Sequence, residues 1–258
     1  MRTSNPALSD KIFGQIEQVQ GQTNVMSVQG TIYKTAMLLG LVLLTSLYTW
    51  NVFYTAIAGL QDPQAIMTAG TQAVMPWMIG GLIVGLIFAL ITIFVPKVSP
   101  YTAPLYALAQ GLFLGAVSAL FEIRYPGVVM PAMGLTFATM AVMLGLYGTG
   151  IIKVTQKLRM GIVAATGGIM IVYLIAMGMS FFGMNMPIIN DASPLGIGFS
   201  LLVVGIAAFN LLLDFDFIEK GSKHGLPRYM EWYAAFGLMV TLIWLYLEML
   251  RLLSKLRR

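Results

Sequence analysis

Three polar side chains interrupt the sixth apolar stretch of the sequence. Asn210, Asp214 and Asp216 lie in a segment otherwise dominated by Leu, Ala and Phe. Asn210 and Asp214 are four residues apart and share one helix face, whereas Asp216 points about 200° away from Asp214. Because Asp214 has a polar neighbour one turn deeper, we expect it to face the interior. We expect Asp216, like Glu219, to be solvated.

Asp214 has the chemistry of a proton-linked gate or a cation ligand. Burial disfavours the charged form of a carboxyl group, so an embedded carboxylate can change its charge near neutral pH. Ionisable residues inside membrane segments are costly and are typical of ion and proton pathways. We therefore predict an ion path at Asp214, with Asn210 and Asp216 as accompanying residues. The alternative is an ordinary helix end at the cytosolic surface.

A second set of charged residues is predicted at the other membrane boundary. Glu248 follows the last apolar stretch, 232–247, and either lies at membrane depth or extends to the headgroups. Helix length places Glu248 and Arg251 near the level of Glu122 and Arg124 and away from Asp214. Glu122, Arg124 and Arg251 are thus a secondary outer cluster, with Glu248 as a second candidate acid of the ion path.

Several catalytic classes are excluded by the residues that are missing. The chain has no cysteine and one histidine, His224, so thiol chemistry, a His-rich metal site and a Ser-His triad are not expected. A retinal protein would need a lysine inside its last helix, and Lys255 lies at the end. We find no Gly-x-Gly-Asp-like site of an intramembrane aspartyl protease. The sequence predicts neither an enzyme nor a cofactor.

Apolar helices are the elements that must position these side chains. The chain has 258 residues, of which 58% are hydrophobic and 10% charged, against roughly 25% charged in soluble domains. Six charge-free windows exceed the ~20 residues that cross a bilayer, and a seventh is shorter. The predicted fold is all-α, a polytopic bundle of seven transmembrane helices at about 35–58, 77–96, 101–121, 129–151, 160–182, 195–214 and 229–253.

The basic residues predict the orientation of the first six helices. With the N-terminus in the cytoplasm, the outer loops before the last helix hold only Arg124. The inner side then receives Arg2, Lys11, Lys34, Lys97, Lys153, Lys157, Arg159, Lys220, Lys223 and Arg228. The basic C-terminus would face outward after seven spans. We favour a full crossing of the last helix over a re-entrant segment, which requires burial in protein.

Three regions follow from this pattern. Residues 1–31 are polar and lack the apolar core of a signal peptide, so they are predicted to form a cytosolic tail, with an interaction segment as the alternative. Residues 32–253 form the membrane domain, and 254–258 a basic C-terminal tail. Glycine pairs four residues apart, Gly81 with Gly85 and Gly111 with Gly115, predict closely packed helix faces. Pro76 and three other prolines are expected near helix beginnings.

The motifs on these helices resemble those of a known family. Residues 104–115 are similar to the third helix of the Bax inhibitor, or YccA-like (transmembrane Bax inhibitor motif), family. Leu245-Tyr246-Leu247-Glu248 resembles its last-helix Leu-Tyr-Leu-Asp signature, and Asp214-Phe215 the acidic start of its sixth-helix motif. The N-terminal segment 4–8 and the block 231–237 resemble a bacterial subgroup.

The resemblance implies a fold with the last helix enclosed by the other six. It implies a pH-sensitive calcium leak, with an acidic pair on the sixth and seventh helices that corresponds here to Asp214 and Glu248. It also implies location in a bacterial inner (plasma) membrane. The last-helix acid is Glu here, the spacing of the two acids is longer than is usual in the family, and the second helix carries no charged residue.

Two functions from different classes follow from the residues and the resemblance together. The first is a calcium or cation leak channel gated by protonation of embedded carboxylates. The second is a membrane-embedded regulatory protein that modulates a membrane-bound AAA protease, for which the polar tail 1–31 would be the contact. The expected partners are the lipid bilayer, calcium or protons, and such a protease, but not nucleic acid. A secondary transporter is a less favoured third class, because no internal symmetry is evident.

Overall fold

A computed structural model of the protein describes residues 25–184 and 186–257. Most of the predicted polar tail therefore lies outside the described residues. The described chain consists of long helices, short helical segments and turns. One isolated β-bridge joins Val25 and Pro227 in this part of the chain. Seven of the helices are long and apolar enough to cross a membrane. The prediction of an all-α seven-helix membrane protein is therefore confirmed.

The seven long helices are joined by short connections. In chain order they are α1 (Val28–Ile57), α2 (Pro63–Phe94), α3 (Ser99–Arg124), α4 (Val129–Gly148), α5 (Gln156–Phe181), α6 (Pro194–Lys223) and α7 (Met230–Leu256). The N-termini of α1, α2, α5 and α6 are capped by a Ser, Asp or Thr side chain that accepts a hydrogen bond from a backbone N–H of the first turn.

Two helices extend well beyond their predicted ends. The second begins at Pro63, fourteen residues before the expected start, so Pro76 lies inside the helix and not at its beginning. Helices in membranes tolerate an internal proline when neighbouring groups satisfy the freed backbone carbonyl. The sixth continues to Lys223, which places Asp214, Asp216 and Glu219 within a regular helix.

The last helix is the centre of the bundle. α7 packs against α1, α3, α4 and α6 and is the most buried of the seven spans. Its buried side chains Leu238, Leu242 and Leu245 belong to a core shared with Leu211 and Leu212 of α6. α5 is the least buried span and packs mainly against α6.

α7 crosses the whole bundle. At its start the backbone carbonyl of Tyr229 accepts a hydrogen bond from Ser99 at the start of α3. At its end Arg257 donates to the carbonyl of Pro126 in the turn between α3 and α4. Since α3 runs from one face to the other, the two ends of α7 lie on opposite faces. We call the face that carries Lys34, Lys97, Lys153, Lys157, Arg159, Lys220, Lys223 and Arg228 the basic face, and the other the opposite face.

The glycine pairs lie where two helices touch. A Cβ on Gly81 of α2 would lie 2.6 Å from the carbonyl oxygen of Ala109 on α3. A Cβ on Gly115 of α3 would lie 2.4 Å from the carbonyl oxygen of Ser46 on α1. Real Cβ atoms do not approach backbone oxygens so closely. These small residues therefore set the spacing of α1, α2 and α3.

Replacing Gly115 with alanine should destabilise the bundle. The added methyl group would press on the backbone of α1 and force α1 and α3 apart. Overpacking costs about 1–3 kcal/mol, and because the contact is with backbone we expect the upper part of this range, which exceeds the helix-propensity gain of ~1 kcal/mol. Gly134→Ala on α4 is the matched control, since none of the described residues would lie within 4 Å of its Cβ. Thermal unfolding in detergent should show a lower Tm for Gly115→Ala and an unchanged or higher Tm for Gly134→Ala. Equal Tm values would contradict the close contact.

Candidate functional site

Asp214 lies at the interface of α6 with the central helix. A Cβ built on Gly237 of α7 would lie 3.9 Å from Asp214 Oδ1, so the carboxyl group faces a gap left by the missing side chain. Thr241, one turn further along α7, faces the same carboxyl group. Asp214 Oδ2 is buried and accepts no hydrogen bond from the described residues. A buried carboxyl oxygen without a hydrogen-bond donor costs free energy, and ionisable groups inside membrane segments are typical of functional sites.

Asp214 lies between an aromatic pair and an apolar core along the interface of α6 and α7. Towards the basic face, the rings of Phe217 and Tyr233 lie 6.1 Å apart, one turn beyond Asp214 and Gly237, and Phe217 is 39% exposed. Towards the opposite face, α6 and α7 are joined by the leucine core. Asp214 as a whole is half-buried, and its Oδ2 atom is the buried part.

Asn210 reaches a different neighbour from Asp214. Its side-chain amide donates to the Thr166 hydroxyl of α5 at 2.8 Å and to the carbonyl of Ile206 at 2.9 Å. Asn210 therefore links α6 to α5, whereas Asp214 faces α7. The two residues share one stretch of α6 but are not hydrogen-bonded to each other.

Glu248 is the centre of a separate polar cluster near the opposite face. It is 2% exposed and accepts hydrogen bonds from Arg251 Nη1 at 2.7 and 2.8 Å and from the Tyr173 hydroxyl at 2.9 Å. Arg251 Nη1 also donates to the Tyr173 hydroxyl at 2.6 Å. Since Tyr173 belongs to α5, this cluster joins α5 to the end of α7.

The structure does not bring Asp214 and Glu248 together. Asp214 lies level with Gly237, and the eleven residues from Gly237 to Glu248 span ~16 Å along α7. A direct contact requires carboxyl oxygens within about 4 Å, the range over which charges interact strongly. The two acids have different neighbours, and the acidic pair that the resemblance implies is not formed in this structure.

Asp216 corrects an expectation from the sequence. It was expected to be solvated, but it is 4% exposed and accepts hydrogen bonds from Arg159 of α5 and, at 2.8 Å, from Lys220. α6 has neighbours on two sides, α5 and α7, and therefore buries two of its faces. Side chains that point in opposite directions from α6 can then both be buried. Asp216 pairs α6 with the start of α5, whereas Asp214 is directed towards α7.

Sequence reasoning also missed a buried acid at the start of α7. Glu231 is 2% exposed. It accepts hydrogen bonds from Ser27 N at 2.8 Å, from Ser27 Oγ at 2.9 Å and from Lys34 Nζ. A Cβ on Gly30 would lie 2.2 Å from its carboxylate, so glycine is required beside it. This contact fastens α1 to α7 on the basic face, and no local signal indicates partners 197 or more residues apart.

The secondary outer cluster is divided between two places. Glu122 accepts hydrogen bonds from the backbone N–H of Gly127 at 2.6 Å and of Val129 at 3.2 Å, and so closes the turn before α4. The Arg124 guanidinium lies 5.9 Å from the ring centroid of Tyr125. Arg251 belongs to the Glu248 cluster on the α5 side. The residues lie on the same face but do not form one site.

No metal centre is evident in residues 25–184 and 186–257, where no three His, Asp or Glu residues come together. Asp214 alone offers two carboxylate oxygens, fewer ligands than the six to eight that Ca²⁺ prefers.

Comparison with known proteins gives one finding. The family described as Bax inhibitor 1 like matches residues 5–258, nearly the whole chain. No curated protein and no solved structure matches the sequence.

Proposed function

Since the chain belongs to the Bax inhibitor 1 like family, we propose that it is a proton-sensitive cation leak protein in which Asp214 is the gating acid. The observation that carries this proposal is the buried Asp214 Oδ2, which lacks a hydrogen-bond donor from the described residues. When ionised, this group attracts a cation or water into the bundle. When protonated, it is neutral and lets the surrounding apolar layers close around it.

The path in this proposal follows the interface of α6 and α7. Phe217 and Tyr233 form the constriction on the basic side of Asp214, and the leucine core forms the barrier on the opposite side. An apolar constriction of this kind excludes ions by dewetting until the helices separate. Calcium is the proposed ion, and Asn210 and Asp216 hold α5 in place beside the path.

Replacing Asp214 with asparagine should abolish the pH dependence of ion flux. Asparagine keeps the shape of the protonated acid but cannot ionise, so the variant should remain at the flux that the wild type shows at its acidic end. Calcium flux into vesicles containing the purified protein, measured from pH 5 to 8, tests this. Glu219→Gln, which alters an exposed acid on the same helix, is the control and should keep the wild-type profile. A wild-type profile in Asp214→Asn would contradict the proposal.

We also propose that the basic face lies in the cytoplasm of a bacterium and that the protein is in its inner membrane. Eight basic residues among the described ones mark that face, and positive residues are retained on the cytoplasmic side. The second function considered, regulation of a membrane-bound protease, depends on the N-terminal tail, of which residues 1–24 lie outside the described residues.

Labelling of single cysteines should show this orientation. The chain has no native cysteine, so an introduced one is the only target. Ile151, 72% exposed between α4 and α5, lies on the basic face, and Met184, 52% exposed after α5, lies on the opposite face. In intact cells an impermeant maleimide should label Met184→Cys and leave Ile151→Cys unmodified until the membrane is opened. The reverse pattern would contradict the proposed orientation.

A further inference from the structure

A lateral cavity of about 360 Å³ lies between α1, α3, α4 and α7. Such a volume falls within the ~300–1,000 Å³ of ligand sites. The cavity exists because α4 packs mainly against α6 and α7 and stands away from α1. Its edges are exposed apolar side chains, Leu43 and Leu47 on α1 and Met130 and Phe137 on α4. Since α1 and α4 are membrane spans, the cavity opens sideways into the hydrocarbon of the bilayer.

The lining of the cavity is suited to hydrocarbon and not to a polar ligand. Among the residues that the structure describes, no charged one lines it. The hydroxyls that do are already engaged: Ser46 donates to the Gly111 carbonyl at 2.9 Å, Thr136 donates to the Ala132 carbonyl at 2.8 Å, and Ser118 and Tyr246 are hydrogen-bonded at 2.7 Å. An empty apolar cavity would also leave its lining atoms without dispersion partners. An acyl chain is apolar and fills the space, so it matches the lining and supplies the missing contacts.

One end of the cavity has a positively charged rim on the opposite face. Val129, which lines the cavity, follows the turn at Pro126 and Gly127, to whose carbonyl oxygens Arg257 donates. Arg124 is exposed beside the same turn. Glu122 is the acid at this rim, and both of its oxygens accept backbone N–H groups.

The remaining basic side chains of the described opposite face are directed elsewhere. Arg251 contacts Glu248 and Tyr173, and Lys255 Nζ donates to the Gly196 carbonyl and the Ser200 hydroxyl, both at 2.9 Å. The formal charge of Glu122, Arg124 and Arg257 together is +1, which favours an anionic headgroup at the rim.

We propose that this cavity is a binding site for one anionic phospholipid. An acyl chain fills the space between α1 and α4, and the headgroup phosphate contacts Arg257 and Arg124. The lipid thereby completes the packing of α4, the helix that α1 and α3 leave largely unsupported. Most of this site lies on the side of α7 away from Asp214. Leu242, which belongs to the leucine core, also lines the cavity and is the side chain that the two regions share.

The test is native mass spectrometry of the full-length protein released from nanodiscs of phosphatidylglycerol and phosphatidylcholine in equal amounts. The wild type should retain one phosphatidylglycerol in preference to phosphatidylcholine. Leu43→Trp fills the cavity mouth and should lower the retained fraction about tenfold. Leu44→Trp is the matched control, because Leu44 is 64% exposed on the same helix but does not line the cavity. It should retain lipid as the wild type does.

The headgroup contact is tested separately. Arg124→Gln with Arg257→Gln should reduce the preference for phosphatidylglycerol by roughly fivefold per arginine while an acyl chain is still retained. A thermal unfolding curve of each variant verifies that the bundle is folded. Equal lipid retention by Leu43→Trp and Leu44→Trp would overturn the proposal. A dimer that Leu43→Trp dissociates would also overturn it, because the cavity would then be occupied by a second copy of the chain.

Discussion

Replacing Glu231 with alanine is expected to lower the free energy of unfolding by about 3 kcal/mol. The change removes the acceptor of three hydrogen bonds, two from Ser27 and one from Lys34. It also leaves the Lys34 ammonium, whose side chain is 13% exposed, without its counter-charge. Removing one partner of a buried ion pair typically costs ~3–5 kcal/mol, because the other charge stays in a medium of low dielectric constant. We expect the lower end of this energy range, because the Lys34 side chain retains some access to water.

The comparison of single and double variants identifies the cause. Equilibrium unfolding in mixed micelles should give a lower free energy of unfolding for the single variant Glu231→Ala than for the double variant Glu231→Ala with Lys34→Met. The second change removes the charge that the first one leaves unpaired. Lys223→Ala is the control, since its side chain is 69% exposed in a surface pair worth ~0–1 kcal/mol. If Glu231→Ala is as stable as Lys223→Ala, Glu231 does not fasten α1 to α7 in the membrane.

Replacing Glu248 with alanine is expected to release α5 from the central helix. Among its described residues only Ile162 and Ile169 of α5 are buried, so apolar packing contributes little to its position. The Tyr173 hydroxyl loses its carboxylate acceptor and Arg251 its counter-charge in this variant. Because the Arg251 side chain is 35% exposed and regains water, we expect a loss of about 2 kcal/mol, in the range for hydrogen bonds to charged groups.

Distances between spin labels should show this release directly. Met177→Cys on α5 and Leu256→Cys on α7 provide two exposed attachment sites in a chain without native cysteine. The distance distribution between the labels should broaden in Glu248→Ala and stay narrow in Lys223→Ala. Tyr173→Phe, which removes only the hydroxyl, should have an intermediate effect. Identical distributions in all three would contradict the role of Glu248 in holding α5.

The helices themselves could be predicted because their signal is local. A window without charge that is long enough to cross the bilayer identifies a span, whatever its neighbours are. The glycine spacing of Gly111 and Gly115 likewise predicts a close helix contact, because the missing side chains are a property of one helix face. The sequence predicts the start of α2 too late, because Pro76 and Trp77 resemble the beginning of a membrane helix. The polar but uncharged residues before them, such as Gln64 and Thr68, continue the helix.

The site could be predicted only in part, because its geometry depends on distant contacts. Helix length predicted that Asp214 lies far from Glu248, and the two acids have different neighbours in the structure. The i, i+4 spacing placed Asn210 and Asp214 on one face, but Asn210 contacts α5 whereas Asp214 faces α7. The burial of Asp216 and Glu231 could not be predicted. Asp216 pairs with Arg159 of α5, and Glu231 pairs with Lys34 of α1. The sequence of one helix does not indicate which neighbouring helix packs against which of its faces.

In the proposed function, Asp214 senses protons without Glu248. The pH profile of calcium flux in vesicles containing Glu248→Gln tests this, because glutamine keeps the size of the side chain and its capacity to accept a hydrogen bond. We expect Glu248→Gln to keep the wild-type profile and Asp214→Asn to show no pH dependence. A profile that Glu248→Gln and Asp214→Asn alter equally would mean that the two acids act as a coupled pair, and that Asp214 does not act alone.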